Sequence, residues 1–98
     1  MNANEYINGM ADLIRTTSAE YVKVEDIDGK KRIAAKFHSV SEMNSEMKKA
    51  FIANAETLKA LNAGLRALRA SGEIKSATNC WAPTLLEGGI EFRMDFGF

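Results

Sequence analysis

The sequence predicts an α+β fold: two β-hairpins form one antiparallel sheet, packed on one long helix with a short N-terminal helix beside it, in the order α-β-β-α-β-β. Three observations predict it. Asp28-Gly29 stands between two runs of strand-forming residues. A helical pattern of apolar and small residues runs from about Val40 to Ser71. Near the C-terminus, Ile90, Phe92, Met94, Phe96 and Phe98 alternate with Glu91, Arg93, Asp95 and Gly97, the period of a strand with one buried face.

The first helix is expected from about Asn4 to Thr16. Tyr6, Ile7, Met10, Leu13 and Ile14 share one side, and Asn2 or Asn4 can cap the start. Gly9 weakens this helix by about 1 kcal/mol relative to alanine. Thr16, Thr17 and Ser18 end it, because their hydroxyls compete for backbone hydrogen bonds.

The first hairpin is expected over Glu20 to His38. A two-residue Asp28-Gly29 loop needs positive φ at both positions and fixes the register. Asp26 then faces Lys31 and Glu25 faces Arg32, two pairs of opposite sign. Val24 faces Ile33 and Val22 faces Ala35.

The long helix is expected to run from Val40 to Ser71, about 45 Å at 1.5 Å per residue. Ser39 and Glu42 form a capping box, and Gly72 supplies the stop. Two adjacent stripes run along it. The large one is Met47, Phe51, Asn54, Leu58, Leu61, Leu65 and Leu68. The small one is Ala50, Ala53, Thr57, Ala60, Gly64 and Ala67. Together they cover about half the cylinder, more than one sheet requires. The small stripe is expected to pack closely against either the first helix or the same helix of a second copy. Ala53, Asn54, Thr57, Ala60, Gly64 and Ala67 are thus candidate dimer-seam residues. Asn54 can pair with its own copy across a two-fold axis and fix register, or sit near a frayed edge and bond to backbone or water.

The second hairpin comprises strands over Gly72 to Ala82 and Ile90 to Phe98, joined by a link from Pro83 to Gly89. Phe92, Met94 and Phe96 should be core, and Glu91, Arg93 and Asp95 should face solvent. No repeat or linker divides the 98 residues, so residues 1–98 are read as a single domain.

Thirteen basic and thirteen acidic side chains cancel, which removes the simplest case for nucleic acid or an anionic membrane as partner. A single cysteine, Cys80, forbids an intrachain disulfide. With no signal-like N-terminus and no long apolar run, a cytoplasmic protein is expected. Cys80 and His38 are too few for a zinc site and more plausible as structural residues than as a nucleophile pair. No glycine-rich phosphate loop precedes a helix. Catalytic, cofactor and metal residues are accordingly assigned to none.

The leading functional expectation is a non-enzymatic macromolecule-binding protein acting as a homodimer. An inhibitor, adaptor or accessory subunit is such a protein, and phage-encoded regulators are one class of them. It would bind itself and an unidentified protein partner. The alternative is a small-molecule binding module with its pocket between the hairpins or at the dimer seam. Tyr21, Trp81, Leu85 and Leu86 are its candidate ligand or partner contacts. The third is nucleic-acid binding through the basic second strand, with Lys30, Lys31, Arg32 and Lys36 as contacts. Acidic residues on the neighbouring strand oppose it, and a solvated, lysine-protected edge is the simpler reading.

Overall fold

In the computed structural model the elements are α1 (Ala3–Ile14), β1 (Tyr21–Ile27), β2 (Lys30–Phe37), α2 (Val40–Ala53), α3 (Ala55–Ala70), β3 (Ser76–Leu86) and β4 (Gly89–Gly97). The structure describes the backbone of all 98 residues and every side chain except those of Cys80, Trp81 and Ala82. The strands form one antiparallel sheet in the order β1-β2-β4-β3. The α+β class and the two hairpins are as the sequence predicts. The element order differs, because the long helix is two helices.

Asn2 caps α1. Its Oδ1 accepts from the Glu5 backbone N–H at 2.8 Å, and Glu5 Oε1 accepts from the Asn2 N–H at 3.0 Å. At the other end the Thr16 and Thr17 hydroxyls donate to the Leu13 and Ile14 carbonyls, the competition with helix continuation expected of them. Tyr6, Ile7, Met10, Ala11, Leu13 and Ile14 are all buried. The short helix therefore fills the centre of the core, a place the sequence had suggested for the long one. Gly9 makes this packing close: a Cβ there would lie 2.9 Å from Leu61 Cδ2 of α3.

The first hairpin has the expected register, with Asp26 opposite Lys31, Glu25 opposite Arg32, Val24 opposite Ile33 and Val22 opposite Ala35. Asp28 and Gly29 have φ of 49° and 76°, as a type I′ turn requires. β2 then pairs with β4, placing Arg32 opposite Asp95, Ala34 opposite Arg93 and Lys36 opposite Glu91. Ile33, Ala35, Phe37, Ile90, Phe92, Met94 and Phe96 belong to the core shared with the helices. Tyr6 and Phe96 meet edge to face at 5.5 Å, the arrangement aromatic quadrupoles favour.

Two expectations need correction. The helix from Val40 breaks at Asn54, whose φ of −117° and ψ of 35° leave the helical region. Its backbone N–H and its Nδ2 both donate to the Ala50 carbonyl, at 3.0 and 2.9 Å. A short amide side chain that satisfies a local carbonyl competes with the helix ladder, so Asn54 acts as a helix breaker, its Nδ2 bonded to its own backbone. The other correction concerns β3. It starts at Ser76 and runs through Pro83 to Leu86, so most of the expected link is strand, and the turn is only Glu87-Gly88, with Gly88 at φ 79°. Proline is tolerated because β3 is an edge strand. The pairing slips between Cys80 and Thr84, where four steps on β3 oppose two on β4, from Arg93 to Glu91.

Candidate interaction surface

α3 is the least buried helix. Only Leu61 and Leu68 are fully inside, and Leu61 meets α1 at Gly9. Leu58, Leu65 and, from α2, Phe51 are half-buried and pack on the rim of the core. Between α3 and the sheet lies an open groove of about 190 Å³, lined by Tyr6, Phe51, Leu58, Leu65, Asn79 and Met94, among others. Phe51 also borders a shallow apolar depression on α2 with Met47 and Ile52, and Ile52 is 69% exposed. The two hollows share Phe51, and Asn44, Lys48, Asn62 and Asn79 stand among the apolar residues that line them. Isolated exposed apolar residues are ordinary, but a contiguous apolar surface marks a place of interaction.

The small-residue stripe lies on the other side of α3 from the groove, beyond Leu61 and Leu68. Ala53, Thr57, Ala60 and Ala67 are exposed, Asn54 is half-buried at the helix break, and Gly64 is half-buried with the Met1 side chain against it. α1 does not cover this stripe: it packs on the Leu61 side, through Gly9. The sequence points to the stripe, Ala53, Ala60, Gly64 and Ala67, for the close approach, and the structure has α1 and α3 approach closely at Gly9 instead, because α1 needs the large apolar side of α3 to complete its own burial.

The face of the sheet away from the helices is polar and paired within itself. The Tyr21 hydroxyl donates to the Glu91 carboxylate. Arg93 donates to the same carboxylate at 2.7 Å, and the Lys23 ammonium sits 4.3 Å above the Tyr21 ring. Arg32 holds Asp95 with two bonds, 2.8 and 3.1 Å. Glu91 is 9% exposed, which corrects the expectation that it faces solvent. Burial by itself would raise its carboxyl, but the Tyr21 and Arg93 bonds outweigh that and hold it below its ordinary value. The same bond to Glu91, with some burial, pushes the Tyr21 hydroxyl up to about 12. The Arg32 bonds hold Asp95 low.

The proposed nucleic-acid residues lie on β2, and three of the four have carboxylate partners. Lys31 meets Asp26 at 3.4 Å, Arg32 meets Asp95, and Lys36 meets Glu20 at 2.9 Å. Lys30 is exposed at the hairpin end. A cation already paired offers little to a phosphate. The proposed ligand contacts are not brought together. Tyr21 lies on the polar face, opposite Lys36, whereas Leu85 pairs with Ile90 on the helix side and is 81% exposed beyond the helices. Leu86 is half-buried beside the β3–β4 turn, and the Trp81 side chain lies outside the described residues. β2 and β4 are hydrogen-bonded neighbours, so among the described residues no cleft separates the two hairpins where the pocket was expected.

His38 is exposed just past β2, and the Cys80 side chain lies outside the described residues. Among the described residues, no three His, Cys, Asp or Glu side chains converge as metal ligands do. Among them, too, no helix is long and apolar enough to cross a membrane. Sequence reasoning missed the Tyr21–Glu91–Arg93 cluster, because it depends on β2 lying between β1 and β4. Its one signal was the outward alternation of Glu91 and Arg93. Comparison with protein-family models finds no match, and neither the curated proteins nor the solved structures give a significant one.

Proposed function

We propose that this chain is a non-enzymatic macromolecule-binding protein that acts as a homodimer. The observation that carries the reading is the unfinished helical layer. α3 buries two side chains fully, and its Leu58 and Leu65 stand with Phe51 of α2 around an open groove. Taking a leucine or phenylalanine from exposed to fully buried contributes about 1.5–3 kcal/mol, so completing the burial of half-buried ones adds roughly half of that each, which counts in a small domain. Zero formal net charge sets no long-range repulsion against self-association. Two-fold pairing is the commonest way for such a surface to be covered. In this reading the chain serves as an inhibitor, adaptor or accessory subunit, and the polar sheet face stays free to meet a protein partner. Sedimentation velocity across a concentration series tests it. A dimer that dissociates on dilution, or persists throughout, supports the reading. A monomer at every concentration overturns it.

A further inference from the structure

We infer that two copies of this chain join by pairing their β3 edges antiparallel about Thr78, making one continuous eight-stranded sheet. The inference rests on the homodimer reading and names its seam.

The sheet has two free edges, β1 and β3, and the two are built differently. β1 carries Lys23, Glu25 and Asp26 within seven residues. β3 has eleven residues, Ser-Ala-Thr-Asn-Cys-Trp-Ala-Pro-Thr-Leu-Leu, and no charge among them. Soluble proteins protect exposed strand edges with charges, lysine above all. β1 follows that rule along its length, whereas β3 is protected only in its distal part, by Pro83 and the register slip. The slip after Cys80 and Pro83 limits strand addition along the distal part of β3. The straight portion that remains is Ser76–Cys80, and its midpoint is Thr78.

A two-fold axis at Thr78 suits a second copy as the occupant. It sets Thr78 opposite its own copy, and facing threonines are a favourable cross-strand pair. Ala77 falls opposite Asn79 of the other copy, so no charge meets a charge at these central positions. Pairing β3 with β3 closes the assembly, whereas pairing β3 with β1 would propagate an open chain of copies.

The groove gives independent support. It lies beside this edge, since Asn79 of β3 lines it together with Leu58, Asn62 and Leu65 of α3. The axis that pairs the strands brings each α3 next to its copy and turns the two grooves toward one another. The small-residue stripe points to another side of α3 and stays outside the seam.

Charge complementation tests the arrangement. Thr78 is exposed in the single chain, so Thr78→Lys and Thr78→Glu should keep the monomer fold, checked by circular dichroism and melting. Each variant alone sets like charges face to face at the axis and should dimerise up to about fivefold more weakly than wild type, the equivalent of one unfavourable cross-strand pair. An equimolar mixture of the two should recover wild-type association as a mixed dimer. Ala60→Glu, on the small-residue stripe, should dimerise as wild type does. If wild type is a dimer and both Thr78 variants associate as tightly, the β3 seam is wrong and the homodimer reading stands. Loss of the dimer in Ala60→Glu alone would move the seam to the helix stripe. If wild type is a monomer throughout, the homodimer reading fails and this inference with it.

Discussion

Replacing Gly9 with alanine sets helix propensity against packing, and the structure decides the sign. In an isolated helix the change stabilises by about 1 kcal/mol. In the folded chain the added Cβ would lie 2.9 Å from Leu61 Cδ2, roughly 0.6–1.1 Å inside ordinary carbon–carbon contact. Leu61 is 3% exposed, so its methyl has little room to retreat. Overpacking a core in this way costs about 1–3 kcal/mol. With a middle value of about 2, Gly9→Ala should destabilise by about 1 kcal/mol, or lower the melting temperature by about 4–8 °C. Leu61→Ala removes the obstructing methyl and itself costs about 2–5 kcal/mol. In that background Gly9→Ala should stabilise by about 1 kcal/mol, because only propensity remains. Urea unfolding of the four proteins closes the cycle, with an expected coupling of about 2 kcal/mol. A Gly9→Ala protein more stable than wild type would show that α1 and α3 do not meet at Gly9.

Further outcomes follow from the core, the turn and the polar face. Phe92→Ala should cost about 3–5 kcal/mol, because Phe92 is 1% exposed; a melting temperature close to wild type would contradict its burial. Gly29→Val meets no atom within 4 Å but inherits φ of 76°, so its cost is conformational, about 1–3 kcal/mol, and an unchanged stability would refute the type I′ turn. Tyr21 is raised from 10.0 to about 12. A raised hydroxyl contributes stability below pH 10 that is lost as pH rises toward about 12, and Tyr21→Phe should flatten that decline in alkaline unfolding curves. Asp95 and Glu91 are lowered, so their contribution is present above the ordinary values of 3.8 and 4.5 and is lost as pH falls through the lower folded values. Asp95→Asn should shrink this acid dependence, and an unchanged acid limb would show that the Arg32 bonds do not matter to folding.

The parts of the fold legible in the sequence are those set by neighbouring residues. The Asp28-Gly29 turn fixed its own register, because a two-residue loop leaves no freedom to slip. Strand β4 was legible because alternation over nine residues admits one burial pattern. Asn54 was read as part of an apolar stripe, although its side chain reaches only four residues back, to the Ala50 carbonyl. Periodicity records where a side chain points and not whether it bonds to its own backbone. The role of α1 was hidden for a different reason. Which helix occupies the centre depends on Gly9 meeting Leu61 across 52 residues (61 − 9), and no local pattern carries that. The polar cluster was equally hidden, since Tyr21 and Glu91 meet only because β2 and β4 are neighbours. Of the candidate site, the apolar residues of α2 and α3 were visible as a stripe, but their division into buried and open members needed the helix break.

The junction of β2 with β4 also sets the order in which the molecule can assemble. Each hairpin closes through a two-residue turn, an event of about 1–10 μs. Joining them requires Phe37 to find Ile90, 53 residues away (90 − 37), at a loop-closure cost that grows to roughly 3–4 kcal/mol for a chain segment of that length. α2 and α3 lie within that loop, and the helix formed between the hairpins shortens the distance the chain must search. Closing the sheet centre is thus the step with the high entropic barrier, and it limits the folding rate more than closure of either turn does. Substitutions at Ala35 and Phe92, which face each other across the junction, should slow refolding, and Gly29→Val, in a turn already closed at that barrier, should likewise slow refolding and leave unfolding little changed.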